Sequence, residues 1–184
     1  PATWMNAVED GRPITPRTGY VVELNALWYN ALRFTASLLQ ALGKHTVADL
    51  MEYQAEIAKD AFVHTFWNGY YLNDFVTHDA TNKEVRPNQI WAAALPYSPL
   101  DKRQNKAVVD ICTKELLTPR GLCTLSPKSG CYRPNYVGGQ LERDRNFHNG
   151  PVWMFTIGAY AEAYMKVYRR SGLGFLERVL AGLE

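Results

Sequence analysis

The chain has 184 residues, 47% of them hydrophobic, and 20 Lys and Arg residues against 18 Asp and Glu residues give a formal net charge of +2. This length suits one sizeable domain. The two signs of charge are mixed, which argues against nucleic acid or an anionic membrane as the main partner. No apolar run has the length of a membrane span, and no signal-peptide pattern is present.

The first helix is predicted in "VVELNALWYNALRFTASLLQALG", where apolar residues recur at helical spacing and Gly43 is a typical C-terminal stop. The next helix, in "TVADLMEYQAEIAKDAFVHTFW", is predicted to be amphipathic. We expect its apolar face to consist of Val47, Leu50, Met51, Ala58, Ala61 and Phe62. A loop with a short strand pair is predicted for "NGYYLNDFVTHDATNKEV".

Four further helices are predicted in the second half of the chain. "RPNQIWAAALP" has Pro87 at a first helical position and Pro96 at its end, and "DKRQNKAVVDICTKELL" is a helix with one wet face. A long loop is expected from Thr118 to about Phe147. Two helices follow, in "NGPVWMFTIGAYAEAYMKVYRR" and in "GLGFLERVLAGLE".

The helices alternate in character. The helices that begin at Glu23, Asn88 and Gly150 are predicted to be buried on several sides. The helices between them are predicted to have one face exposed to solvent. An inner layer backed by an outer layer produces this pattern, so we expect a single all-α domain over residues 1–184, either part of an α/α toroid or an open solenoid. The absence of a fixed-period repeat disfavours the solenoid.

Polar and aromatic residues cluster at the starts of the three predicted inner helices. If these helices run parallel, the groups converge at one rim, where hydroxyl-binding side chains and Trp faces suit a sugar. The candidate substrate-binding residues are Trp4, Arg17, Glu23, Asn25, Trp28, Arg86, Asn88, Gln89, Arg143, Asp144, His148 and Trp153.

Each of these residues also has a purely structural interpretation. The Trp residues at helical spacing are typical of a core. Glu23 in a first turn complements the helix dipole, and Asn149 before Gly150 is typical of a helix cap. Asp144 between two arginines is equally consistent with a structural ion pair. The threefold recurrence, rather than any single residue, favours a binding site.

The cysteines and histidines predict no metal and no cofactor. An odd number of cysteines without a CxxC motif favours free thiols in a reducing, cytoplasmic compartment, and a disulfide between Cys123 and Cys131 is the alternative. The histidines lack the spacing of metal ligands. The four histidines are His45, His64, His78 and His148, and the third cysteine is Cys112.

Several long motifs resemble the amylo-α-1,6-glucosidase family, the glucosidase domain of glycogen debranching enzymes. They are "TWMN", "TPR.G", "VELNALWYNALR", "RPNQI.A..LPYSPL", "LLTPRGL.TLSP" and "RD..FHNGPVW", in order over essentially the whole chain. The resemblance implies an (α/α)6 toroid and inverting hydrolysis of α-1,6-glucosidic branch stubs in glycogen-like glucans. It also implies that Asp144 and His148 bond glucose hydroxyls, with Arg143 holding Asp144.

One motif departs from the family pattern at the catalytic position. The family reads "TWMD", whose Asp we take as the general acid, and this chain has Asn6 there. An amide does not titrate and is a poor proton donor. Glu9 and Asp10 are weak candidate substitutes. The general base of the family is expected beyond Glu184.

The chain starts at Pro1 and ends in a helical pattern, so we expect a fragment with about six of the twelve helices of a ring. An apolar edge then favours self-association. Three hypotheses remain open: a debranching-type glycoside hydrolase, a non-catalytic α-glucan-binding domain on the same scaffold, and a helical interaction module without a sugar site.

Overall fold

The computed structural model describes residues 3–183, and the fold is mostly helical. The α-helices are α1 Val22–Ala41, α2 His45–Phe66, α3 Ile90–Ala94, α4 Lys102–Glu115, α5 Gln140–Asn146, α6 Ile157–Tyr168 and α7 Leu173–Ala181. Short 3₁₀ helices cover Pro87–Gln89, Met154–Thr156 and Arg169–Gly172.

The all-α expectation is correct only for the bulk of the fold, because three small antiparallel sheets are also present. The first pairs β1 Val8–Glu9 with β2 Arg12–Pro13. The second has the order β3 Tyr20–Val21, β4 Phe75–Val76, β5 Thr81–Asn82, and contains the predicted strand pair. The third has the order β6 Leu117–Thr118, β7 Gly121–Cys123, β8 Val152–Trp153.

Helices α1, α3 and α6 pack side by side, while α2 packs on α1, α4 packs on α3 and α6, and α7 packs on α6. The short α3 lies at the centre of this arrangement, and its buried Ala92–Ala94 segment lets its neighbours approach closely. The main core surrounds these alanines and includes Phe66, Ile90, Val108 and Tyr160. The starts of α1 and of the Pro87–Ala94 helical segment thereby come together.

The predicted buried face of α2 is wrong in part. Val47 is 48% exposed and Leu50 is 52% exposed, and Ala61 is also exposed. The residues buried on α2 are Ala48, Ala55, Phe62 and Phe66. Small side chains at the first two positions allow α1 and α2 to pack closely, and this leaves the larger apolar residues outside.

The expectation that α1 is buried on several sides is also wrong in this chain. Its buried residues form one stripe from Val22 to Ala36. The opposite side exposes a row of large apolar residues: Leu24, Leu27, Trp28, Phe34 and Leu38. Helix α2 also exposes apolar residues, and one of them, Ile57, lines a groove with Trp28. We call the exposed apolar residues of these two helices the α1–α2 face.

Two features interrupt the expected loop from Thr118 to Phe147. The first is the β6–β7 hairpin. The second is α5, whose start is stabilised because the Glu142 carboxylate accepts a hydrogen bond of 2.8 Å from the Gly139 N–H. The following helix begins at Ile157 rather than at Gly150, because Val152 and Trp153 instead pair with β7.

All three cysteines are free, so the alternative of a Cys123–Cys131 disulfide is not realised. Within residues 3–183, no helix combines the length and the apolar character needed to cross a bilayer.

Candidate functional site

A buried ionic cluster joins the start of α1 to the second sheet. The Arg17 guanidinium donates to both carboxylate oxygens of Asp74, at 2.7 and 2.9 Å, and forms a two-pronged contact with Glu23. The side chains of all three residues are at most 5% exposed. Two buried carboxylates therefore contact one guanidinium. The paired contacts match the planar, forked arrangement of the guanidinium N–H groups.

Local structure explains this convergence. Arg17 lies in the segment before β3, Glu23 lies in the first turn of α1, and Asp74 directly precedes β4. Strand β3 pairs with β4, and the Val22 N–H donates to the Asp74 carbonyl oxygen at 3.1 Å. Gly19 is required in this turn, because its φ is +77° and an added Cβ would lie 2.4 Å from the Val76 carbonyl oxygen.

The second polar helix start extends the cluster. The Asn88 amide donates to Asp74 Oδ1 at 2.7 Å, and its Oδ1 accepts from the Trp4 indole N–H at 2.8 Å. Asn88 is 1% exposed. Its neighbour Gln89 instead accepts from the Leu72 N–H and donates to the Arg86 carbonyl oxygen, so Gln89 supports the backbone.

Arg86 connects this cluster to the segment after α5. Its guanidinium donates to the Asn149 side chain at 3.1 Å, to the His148 carbonyl oxygen, and to Glu84 at 2.9 Å. Gly150 follows with a φ of +153°, and an added Cβ there would lie 2.4 Å from the Arg133 carbonyl oxygen. Only glycine fits this crossing of two chain segments.

His148 is buried against aromatic rings. It is 1% exposed, and its ring centroid lies 5.1 Å from that of Trp4 and 4.4 Å from that of Phe147, both edge to face. Neither ring nitrogen has a hydrogen-bond partner among residues 3–183. Burial, with contributions from the Arg86 and Arg17 guanidinium groups, lowers the pKa of His148 to about 4. His148 is therefore neutral at pH 7.

A cavity of about 480 Å³ opens beside the cluster. We call it the site cavity. Arg17, Asp74, Arg86 and Asn149 contribute polar groups to its lining, and Ile14, Pro16 and Phe75 contribute apolar ones. Asn82, Glu84, Cys131, Arg133 and Arg145 complete the polar part of the lining.

Thr15 also lines the site cavity. The residue is 7% exposed, and its hydroxyl oxygen is itself buried, with no hydrogen-bond partner among residues 3–183. A buried hydroxyl without a partner costs free energy of folding.

Comparison with known protein families assigns the chain to a family. The model of the family described as amylo-alpha-1,6-glucosidase matches residues 1–184. The chain belongs to the amylo-α-1,6-glucosidase family.

A curated relative agrees with this assignment. The chain is similar to the glycogen debranching enzyme of Saccharomyces cerevisiae, with 26% identity over 210 residues that cover 88% of this chain and 13% of that protein. The chain thus spans a small part of the relative's length.

Asn6 is the residue at which this chain departs from the "TWMD" pattern of the amylo-α-1,6-glucosidase family. This residue is exposed and lies between the buried Met5 and the half-buried Ala7, in a segment without regular structure. Its backbone N–H donates to the Trp4 carbonyl oxygen at 3.0 Å. Glu9, a candidate substitute for the acid, is bound by the Arg145 guanidinium, and this hydrogen bond lowers the pKa of the Glu9 carboxyl. A carboxyl held ionised in this way is a poor proton donor.

The predicted arrangement of Arg143 and Asp144 is not found. Arg143 donates to the Gly138 carbonyl oxygen at 3.0 Å and to the Gln140 side chain at 3.1 Å. Asp144 accepts from the Gln140 amide at 2.8 Å. Helical spacing explains the difference, because side chains three and four positions apart meet on a helix and adjacent ones do not.

Three other predicted residues lie outside the cluster. Asn25 donates to the carbonyl oxygen of Val21, the residue directly before its helix, and Trp28 is 59% exposed. Both line a groove between α1 and α2 rather than the site cavity. Trp153 donates to the Phe147 carbonyl oxygen at 2.9 Å and packs against Tyr136 and Phe147.

Proposed function

We propose that the chain forms part of a glycoside hydrolase domain that acts on α-1,6-linked glucosyl stubs of glycogen-like glucans, with inversion at the anomeric carbon. The observation that carries this proposal is the site cavity beside the Arg17–Glu23–Asp74 cluster. Its volume of about 480 Å³ lies within the usual range for small-molecule sites, and its carboxylate, amide and guanidinium groups suit the hydroxyls of a glucosyl unit.

The scaffold that we propose is half of an (α/α)6 toroid. The packing of α2, α4 and α7 on the neighbouring helices α1, α3 and α6 supports this arrangement. In addition, α1 and the Pro87–Ala94 helical segment both begin at the site. The proposed compartment is the cytoplasm, which the three free thiols support.

The inverting mechanism needs two carboxyl groups. One protonates the leaving oxygen, and the other, about 6.5–9.5 Å away, activates water. Asn6 stands at the position of the acid and cannot supply a proton usefully. The base is expected from the resemblance to follow Glu184 in the sequence of the parent protein. We therefore expect no measurable α-1,6-glucosidase activity from residues 1–184 alone.

Glucose release from a glucan with single α-1,6 stubs tests the proposal. Asn6→Asp in residues 1–184 should not restore activity. In a longer polypeptide that includes the remaining helices, the same change should raise the rate at least about tenfold, since general acid catalysis contributes roughly 10²–10⁴-fold. Asn135→Asp, on an exposed loop, is the matched control and should have no effect. Enzyme-like glucose release by the unmodified short chain would contradict the assignment of position 6.

Asn6 also favours a second candidate function, a non-catalytic α-glucan-binding domain on the same scaffold. The same experiment separates the two. A longer polypeptide with the Asn6→Asp change that binds glucan and releases no glucose supports the binding function.

A further inference from the structure

A second cavity, of about 410 Å³, lies at the other end of α3 from Asn88. The end of α3, the start of α4 and the end of α6 surround it. We call it the basic cavity because four of its ten lining residues are cations: Lys102, Lys106, Lys166 and Arg169. No Asp or Glu is among the described residues that line it.

Two of these cations have no anionic partner within residues 3–183. Lys102 and Arg169 take part in no ion pair in this part of the chain. Lys106 is paired with Asp110. The Lys166 ammonium donates to the carbonyl oxygens of Ala94 and Leu95, and an ammonium has a third N–H to offer.

The start of α4 beside the basic cavity already has an anionic partner, because the Asp101 carboxylate caps the helix and accepts a hydrogen bond of 2.7 Å from the Gln104 N–H. The positive charge of the basic cavity therefore comes from its lysine and arginine side chains.

We infer that the basic cavity binds the phosphate group of a small phosphomonoester. Arg169 supplies the planar fork that matches phosphate oxygens, and Lys102 and Lys166 supply point charges. Leu95, Pro96 and Val167 form an apolar wall that suits the carbon part of the ligand. This inference does not depend on the proposed function, because it concerns the other end of α3.

Isothermal titration calorimetry of the chain with phenyl phosphate, with inorganic phosphate as the comparison, tests this inference. We expect saturable binding that weakens with salt and is tighter for the ester, because of the apolar wall. The double change Lys102→Gln and Arg169→Gln should weaken binding by about tenfold or more.

Lys114→Gln is the matched control, since this exposed lysine lies at the far end of the same helix. It should leave affinity unchanged. The variants alter exposed side chains, and circular dichroism verifies their folding. Absence of binding at millimolar phenyl phosphate, or an equal loss of affinity in Lys114→Gln, would overturn the assignment.

Discussion

At the scale of single residues, the chemistry of the site was partly predictable. Arg17, Glu23, Arg86, Asn88 and His148 do come together. The residue that sequence reasoning missed is Asp74, because it lies in a segment interpreted only as a loop. One signal was present: an arginine has five N–H donors, and a single buried glutamate cannot accept from all of them. A buried Arg17 therefore required another acceptor.

His148 makes stability depend on pH. Its folded-state pKa of about 4 lies below the ordinary value of 6.5. Between these two pH values the unfolded chain binds more protons than the folded chain. The stabilisation of the folded state by the neutral His148 is therefore complete above pH 6.5 and is lost as the pH falls through about 4. Because one unit of pKa corresponds to about 1.4 kcal/mol, we expect this group to account for a loss of roughly 3 kcal/mol of unfolding free energy.

Urea unfolding across this pH range measures the effect. His148→Gln should flatten the pH dependence, and His78→Gln, which changes an exposed histidine, should retain it. A wild-type curve that His148→Gln leaves unaltered would show that the buried imidazole is not its source.

At the scale of elements, helical periodicity gave good bounds for long helices and poor ones for short elements. Helices α1, α2 and α4 follow their predicted segments closely. Helix α5 was missed because seven residues are too few for a periodic signal, and it depends on local polar contacts such as that of Glu142 with Gly139. Strand β8 was missed because its partner, β7, lies about 30 residues away in sequence, so the pairing has no local signature.

Helix α5 should restrain the β1–β2 hairpin that follows Asn6. The Arg145 guanidinium binds the Glu9 carboxylate through two contacts, and both side chains are partly exposed. Because exposed ion pairs contribute little, Arg145→Gln should change the unfolding free energy only slightly. It should nevertheless speed hydrogen exchange in residues 8–14.

Arg143→Gln serves as the control on the same helix. Its side chain contacts Gly138 and Gln140 rather than the hairpin, so exchange in residues 8–14 should not change. Equal exchange in all three proteins would mean that α5 does not restrain the hairpin.

At the scale of the whole molecule, the α1–α2 face is the largest departure from what periodicity predicts. The apolar residues on both sides of α1 predict burial on several sides, yet one side is exposed in this chain, including Leu27 at 42% and Leu38 at 49%. A hydrophobic pattern indicates that a helix face is stabilised by apolar contacts. It does not indicate whether the same chain or another chain supplies those contacts. An exposed apolar face of this extent also keeps the hypothesis of an interaction module open.

We expect the chain to self-associate through the α1–α2 face, because association removes its apolar side chains from water. Sedimentation velocity over a range of concentrations should show a shift to larger species. Leu38→Lys should reduce that shift, whereas Val137→Lys, at an exposed residue outside this face, should not. A monomer at every concentration would contradict the expectation.

The central claim is that the site cavity binds a glucosyl unit, and titration with maltose and isomaltose while following tryptophan fluorescence tests it directly. Trp4 is the expected reporter, because it packs on His148 and bonds Asn88 in the cluster beside the cavity. We predict a saturable change at millimolar sugar that Arg133→Gln weakens without loss of stability, since this exposed side chain lines the site cavity. Arg120→Gln, at an exposed position outside the cavity, should behave as wild type. A folded protein that gives no response at millimolar sugar, or a response that Arg133→Gln leaves intact, would contradict the claim.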